Sequence, residues 1–435
     1  MFTFAVINTF TAMFNTALRT KYTAAKYSKL VITSLVIGFL SAMLAVTLKH
    51  MTEHYEEVLF HRAEQQKLYL IIFPFIGLSL IYILRQYLFK KKENKGIKEV
   101  FESTTTGKDL PSYKIPSHFI NGLLTVSFGG STGIEVSTVV ATAAIGSLAQ
   151  EKERIFKQHK TELICAGITA GLTALFCSPL AGLLFAYEVV SKKAGRIFLL
   201  TNILAAIVAF AFILIIDEKP LFALNITEWH LYAMPYFVLL GLLCGLNSIY
   251  LTKCVIFFKA RFAKISGHYY KILIAAAIIS TTLFIFPQLY GDGYHAMKSS
   301  LVTANTLILT LPHIMVFVGL LFLKPIVTSI TLSAGGDGGV FAPSLFIGAF
   351  LGLFLAILLN TYFDAGVIPV NFMIIGMAAM LSASIHAPFT ALFLVCALIN
   401  DYTLFLPILI GTLVAKYSAK AIYPYTVYTL APVKQ

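Results

Sequence analysis

Two glycine-rich segments carry most of the polar groups that could do chemistry in an otherwise apolar chain. They run from 129 to 137 (GGSTGIEVS) and from 335 to 343 (GGDGGVFAP), and three of their glycines align at a spacing of 206 positions. Glycine lets the backbone turn sharply and approach a ligand closely. A helix that begins directly after such a turn points unpaired N–H groups, with about half a positive charge, at that spot. Two such helix starts predict an anion site.

Glu135 is the residue in these segments most expected to be functional. An ionisable side chain at the centre of a membrane helix costs roughly 2.5 to 3.5 kcal/mol or more, so it marks a functional position by default. A carboxylate at a helix start is also stabilised by the helix dipole. The two interpretations are compatible, because the same field would attract an anion.

The elements that position these segments form a diverged duplication. Each glycine-rich segment is followed by an apolar stretch and then by a second matching pair, 167–185 against 376–394, in which Pro179 aligns with Pro388. In membrane proteins, duplicated halves with interrupted spans at corresponding positions indicate an ion or substrate site near the bilayer midplane. The pattern therefore favours a transporter or a channel.

The composition places the chain in a bilayer. Of its 435 residues 58% are hydrophobic and only 12% are charged, with a mean hydropathy of +0.82, whereas soluble domains have about 25% charged residues. The uncharged runs 30–48 and 197–216 are long enough to cross roughly 30 Å of hydrocarbon. The segments 119–128 and 343–360 are shorter or interrupted, which predicts half-spanning helices.

The net charge of +13 does not indicate nucleic-acid binding, because the basic residues flank the apolar runs. Segment 50–64, after the first run, is acidic and mixed. The basic flanks of the first two spans are Arg19, Lys21, Lys26, Lys29, Arg85 and Lys90 to Lys92. By the positive-inside rule this alternation predicts a cytoplasmic amino terminus in a multi-pass protein of the plasma or inner membrane.

Other classes of function lack their signatures. No metalloprotease, nucleophile-elbow or phosphate-loop motif is present, which argues against an enzyme. The five cysteines are isolated in apolar sequence, so neither a metal nor a cofactor is expected. We expect a cytoplasmic segment 1–29, a first membrane repeat 30–228 and a second repeat 229–435, without a soluble regulatory domain.

Five segments, in order along 30–428, resemble the CLC chloride channels and transporters. The segment 339–343 (GVFAP) resembles the family's GxFxP motif, and 133–135 (GIE) resembles the start of its GxEGP motif. The segment 384–388 (SIHAP) is similar to a further family segment. Residues 94–98 stand where the family has GSGIP, and Tyr423 stands where it has a pore tyrosine.

This resemblance implies an all-α polytopic membrane protein with two inverted-topology repeats, broken and half-spanning helices and a homodimeric assembly. It also implies a dehydrated anion, chloride or another small anion, as the solute, and it makes Glu135 the gating glutamate, whose ionised carboxylate competes with the anion. Tyr423 would contribute its hydroxyl. The residues implied at the anion site are Lys95, Gly133, Ile134, Val136, Gly339, Val340, Phe341, Ala342 and Tyr423.

The chain departs from the family pattern in its two filter segments. Val136 and Ser137 replace the Gly and Pro that follow the glutamate, and Lys95 replaces the family serine. An ammonium has a full charge and three donors where a hydroxyl forms a single donor bond. Lys95 would therefore bind anions tightly if it lines the pathway; alternatively, it continues the basic patch 90–98 and faces water.

The proton-relay position also differs. Proton-coupled members of the family have a glutamate at the position of Val189, and valine cannot carry a proton; Glu188 is a possible substitute. We favour passive conduction, with an H+/anion antiporter, for an anion such as fluoride or bicarbonate, as the alternative. A cation-coupled transporter of another solute and a non-transporting membrane scaffold are the other hypotheses.

Overall fold

The computed structural model describes the backbone of residues 2–90, 94–151 and 154–429, and side chains within 27–90, 94–149 and 156–429. The predicted basic residues Lys91 and Lys92 lie outside the described residues, and the side chains of Arg19, Lys21 and Lys26 are not described. This part of the chain is helical, without strands. Its α-helices are α1 (Phe2–Gln65), α2 (Leu68–Ile83), α3 (Ile97–Thr106), α4 (Lys114–Ser127), α5 (Glu135–Glu151), α6 (Lys160–Phe176), α7 (Pro179–Phe185), α8 (Arg196–Ile215), α9 (Met234–Ala263), α10 (His268–Ile285), α11 (Tyr294–Thr303), α12 (Leu311–Ala334), α13 (Phe341–Phe363), α14 (Pro369–Ile385), α15 (Pro388–Ile399) and α16 (Phe405–Ile422).

Eight helices in the described ranges are long and apolar enough to cross a membrane. The predicted span 30–48 lies in α1, and 197–216 coincides with α8 except for Ile216, its C-cap residue; both are confirmed as helices of spanning length. Shorter apolar helices, among them Glu135–Ala149 and Pro369–Ile385, lie between the long ones. The chain is therefore an integral, multi-pass membrane protein of all-α architecture.

One of the two half-spanning predictions is wrong. The segment 343–360 lies inside α13, which has 23 residues and is long enough to cross a membrane. The glycines within it do not break the helix, because its neighbours shield the backbone, and α13 continues to Phe363. The segment 119–128 does fall in a short helix, the 14-residue α4, which ends at Ser127.

The duplication is visible in the backbone. Helices α6 and α14 both have 17 residues, and each ends at a residue in the left-handed conformation, Cys177 (φ 54°) and His386 (φ 57°). Pro179 and Pro388 then occupy the first turns of α7 and α15. The alignment predicted from the sequence is therefore confirmed at this corner.

The two sides of the molecule follow from the first hairpin. Helices α1 and α2 are separated only by Gln66 and Lys67, so the loop after α2, which contains Lys95, returns to the side of the membrane on which residue 27 lies. At the turn between α1 and α2, Lys67 Nζ lies 5.9 Å from the ring of Phe284 at the end of α10. The segment between α10 and α11 therefore lies on the side opposite Lys95.

Candidate anion pathway

The two glycine-rich breaks meet in the interior of the protein. Gly133 N–H donates to the carbonyl of Gly339 at 3.3 Å, and Gly339 N–H donates to the carbonyl of Gly133 at 3.1 Å. These two glycines are aligned positions of the duplication, so the contact is reciprocal. The two breaks therefore converge, as two helix starts that contribute to one anion site must.

Both helix starts that follow the breaks are buried at this meeting point. Helix α5 begins at Glu135 and α13 begins at Phe341, two residues beyond the paired glycines. The first N–H groups of a helix have no partner within it and lie at the positive end of its dipole. The amides of Gly133 and Gly339 are used by the reciprocal pair, so the donors available to an anion belong to residues after them.

The Glu135 side chain occupies the space between the two helix starts. Glu135 is only 1% exposed. Its Oε1 accepts a hydrogen bond from the Tyr294 hydroxyl at 2.6 Å. A Cβ built on Gly133 would overlap Oε2, which has no hydrogen-bond partner among the described residues. The same built Cβ would lie 2.8 Å from the Cβ of Ala342, so the carboxyl group lies between the first turns of α5 and α13. It thus lies where both helix dipoles point.

The tyrosine beside the breaks is Tyr428, which corrects the placement of Tyr423. The hydroxyl of Tyr428 lies 3.6 Å from a Cβ built on Gly339, and its ring lies 6.5 Å from that of Phe341. Tyr423 is half-buried at the end of α16, 5.7 Å from Lys253 Nζ. The extended segment after α16 brings the later tyrosine inward, which motif spacing could not indicate.

Lys95 lies in the loop after α2, and its side chain is exposed. Its backbone N–H donates to the carboxylate of Glu99 in the first turn of α3. The next residue, Gly96, lies beside Val136, since a Cβ there would be 3.8 Å from a Val136 methyl group. The loop therefore reaches the first break, while the pathway role of the Lys95 ammonium stays a prediction.

Asp337 and His118 form a buried hydrogen-bonded pair that the sequence did not reveal. Asp337 is 4% exposed and its Oδ1 lies 2.9 Å from Nδ1 of the fully buried His118 on α4. Asn94 and Ser137 also donate to this carboxylate, at 2.8 and 3.3 Å. Asp337 thus ties the Lys95 loop, α4 and α5 to the second break. An aspartate within an apolar, glycine-rich segment was the signal available in the sequence.

The two residues considered for proton relay have different environments. Val189 is buried at 6% exposure. The Glu188 carboxylate accepts hydrogen bonds from the N–H and hydroxyl of Thr390, at 2.8 and 2.7 Å. Thr390 lies in the first turn of α15, so Glu188 caps that helix across the two halves of the chain.

A cavity that leads to Glu135 is named the outer cavity, because the predicted cytoplasmic amino terminus would place it on the outer side of the membrane. It has a volume of about 440 Å³ and opens on the side of the α10–α11 segment. A neck of about 20 Å³ continues from it to the Glu135 side chain. The residues that line both the cavity and the neck are Lys49, Glu53, Leu221, Asp292 and Tyr294.

Comparison with known proteins agrees with this geometry. A family model described as voltage gated chloride channel matches residues 76–420. A curated relative from Ralstonia nicotianae, named as a ClcB-like chloride channel protein, is 25% identical over 380 residues, which cover 83% of this chain and 85% of the relative.

Solved structures show the same fold. A slow cyanobacterial Cl−/H+ antiporter superposes with a TM-score of 0.79 at 21% identity, covering 92% of this chain and 96% of the other. A CLC-type fluoride/proton antiporter superposes with a TM-score of 0.75 at 24% identity, covering 92% and 97%.

Proposed function

This chain belongs to the CLC family of chloride channels and transporters, and we propose that it mediates selective anion permeation, with chloride as the anion and the Glu135 carboxylate as the gate. The observation that carries the proposal is the position of this carboxylate between two helix starts from opposite halves of the chain. An anion and an ionised Glu135 would compete for the same donors. Protonation or displacement of the side chain then opens the pathway.

The anion is held by donors from both halves. The first turn of α13 supplies the backbone N–H groups of Phe341 and Ala342, whereas its third residue, Pro343, has no N–H. The first turn of α5 supplies the backbone N–H groups of Glu135 and Val136. The Tyr428 hydroxyl, which is buried without a hydrogen-bond partner among the described residues, adds a further donor. Lys95 attracts anions to the inner end of the pathway.

Passive conduction is the mode of permeation that the residues favour. Val189 cannot take up a proton, and Glu188 is engaged at the start of α15. The second candidate is an H+/anion antiporter, which is favoured by the activities of the two structural neighbours, a Cl−/H+ and a fluoride/proton antiporter. The functional unit is a homodimer with its amino termini in the cytoplasm, each subunit containing one pathway.

A liposome assay that records chloride and protons together tests the gate. At external pH values above the titration midpoint of the gate, wild-type chloride flux should fall about tenfold for each further pH unit, because one titrating group sets the open fraction. Glu135→Gln cannot ionise and should conduct with a change of less than about twofold over the same range. Glu57→Gln, an exposed substitution in the outer cavity, is the matched control and should behave as wild type.

Two results contradict the proposal. If Glu135→Gln has the pH dependence of the wild type, Glu135 is not the gate. If a chloride gradient alone drives proton uptake, the protein is an antiporter and not a passive conductor. Repeating the measurement with fluoride and bicarbonate identifies the preferred anion.

A further inference from the structure

Among the described side chains, one from the other half of the chain donates a hydrogen bond to the Glu135 carboxylate. The Tyr294 hydroxyl donates to Oε1 at 2.6 Å, across 159 positions of sequence. We propose that Tyr294 is a positioning residue of the outer gate: it retains ionised Glu135 in the anion site and sets the external pH at which the pathway opens. This inference rests on the proposed gating role of Glu135.

Tyr294 is fixed in place by the turn that precedes it. Gly291 and Gly293 have φ values of 56° and 90°, which favour glycine, and Asp292 lies between them. The Asp292 carboxylate accepts a hydrogen bond from the Tyr294 N–H at 2.8 Å. The backbone of Tyr294, the first residue of α11, is therefore anchored by the side chain of the residue two positions before it.

Groups from two helices hold the turn, and a ring from the connection between α8 and α9 packs on Tyr294. Glu56 on α1 accepts a hydrogen bond from Asp292 N–H at 3.2 Å. The ammonium of Lys324 on α12, a fully buried residue, donates to the carbonyl of Gly291 at 3.1 Å. The ring of Phe222 lies 6.0 Å from that of Tyr294, edge to face. A side chain anchored in this way has little freedom to follow Glu135 when the carboxylate moves.

The contact lies where external protons arrive. Tyr294 lines both the 440 Å³ outer cavity and the narrow neck that leads to Glu135. A proton that enters from the outer solution therefore reaches Glu135 beside the phenol. The charged or titratable groups around the gate carboxylate are Lys49 and Glu53 of α1, Asp292 of the turn, Tyr294 of α11 and Tyr428 after α16.

The direction of the effect follows from the hydrogen bond. A phenol that donates to a carboxylate favours the ionised form. Loss of this donor makes protonation easier, so the gate opens at a less acidic external pH. Hydrogen bonds to charged groups are strong enough to displace a titration midpoint by about one unit.

The test compares two tyrosines of the same segment. In the liposome chloride assay, Tyr294→Phe should move the external pH of half-maximal flux upward by about one unit. Tyr290→Phe is the matched control, because the buried Tyr290 hydroxyl donates to the carbonyl of Ser127 at 2.7 Å and not to Glu135. It should leave the midpoint unchanged.

A double variant separates this inference from the proposed gate. Adding Tyr294→Phe to Glu135→Gln should leave the residual pH dependence unchanged, since no carboxylate remains to titrate at position 135. Burial also raises the pKa of Asp292, and any titration that persists in Glu135→Gln belongs to such a group. If Glu135→Gln abolishes the pH dependence but Tyr294→Phe has the wild-type midpoint, the gating role of Glu135 is supported and the positioning role of Tyr294 is rejected.

A second variant tests the proposal if Tyr294→Phe does not fold. If that protein is not monodisperse in detergent, Phe222→Leu removes the ring that packs against Tyr294 and should produce an upward shift in the same assay. An equal shift in Tyr290→Phe would assign the effect to the segment as a whole and overturn the proposal.

Discussion

At the scale of single residues, the candidate site contains residues that the sequence reveals and residues that only the fold reveals. Glu135 could be found from the sequence because a carboxylate in an apolar setting is costly and therefore conspicuous. Tyr294 and Tyr428 could not, since both are ordinary tyrosines until the fold brings them to the breaks. Tyr428 differs from Tyr423 by five positions, and only the course of the chain after α16 decides which hydroxyl is inside.

Removal of the Tyr428 hydroxyl should weaken anion binding. A hydroxyl that bonds a charged partner contributes about 1.5 to 3 kcal/mol, so Tyr428→Phe should lower chloride affinity at least about tenfold. Isothermal titration of the detergent-solubilised protein with chloride measures this. Tyr423→Phe, with a half-buried ring beside Lys253, should bind as wild type; equal affinities in both variants would exclude Tyr428 from the site.

At the scale of helices, each half packs its central pair through glycine. In the first half, Gly146 and Gly167 bring α5 against α6; in the second, Gly348 and Gly376 bring α13 against α14. Small residues allow such close approach in membranes, where tight packing favours association. The duplication and the breaks could be predicted from the sequence. The length of α13 could not, because glycines that allow helix contact and glycines that end helices are the same residue type.

An added methyl group at this crossing should destabilise the protein. A Cβ at Gly348 would overlap the carbonyl oxygen of Gly376, and overpacking of this kind costs about 1 to 3 kcal/mol. Gly348→Ala should therefore lower the thermal unfolding midpoint in detergent. Gly195→Ala, where a Cβ meets nothing within 4 Å, should lower it less; the reverse order would contradict the packing argument.

At the scale of the whole molecule, charge and topology predict which side of the protein faces the cytoplasm. The exposed Lys95 lies on the side where the chain enters α1, and the exposed Lys298 lines the outer cavity. The positive-inside rule then predicts that Lys95 faces the cytoplasm and that the cavity faces outward. This orientation decides which solution delivers protons to Glu135.

Cysteine labelling can establish the orientation. In right-side-out vesicles, a membrane-impermeant maleimide should label Lys298→Cys at once and Lys95→Cys only after permeabilisation. The wild-type protein supplies the background, because four of its five cysteines are buried and Cys177 is half-buried. Immediate labelling at position 95 with protection at position 298 would invert the proposed topology.

The reciprocal hydrogen bonds between Gly133 and Gly339 have a consequence for the origin of such a chain. Because they join equivalent positions, the contact is self-complementary in the way of a two-fold interface between identical partners. One repeat meeting an upside-down copy of itself would make the same pair of bonds without any change of sequence. A fusion of two such copies would need only a linker, and the fused copies would then be free to diverge, as they have at Glu135 against Phe341 and at Ser137 against Pro343.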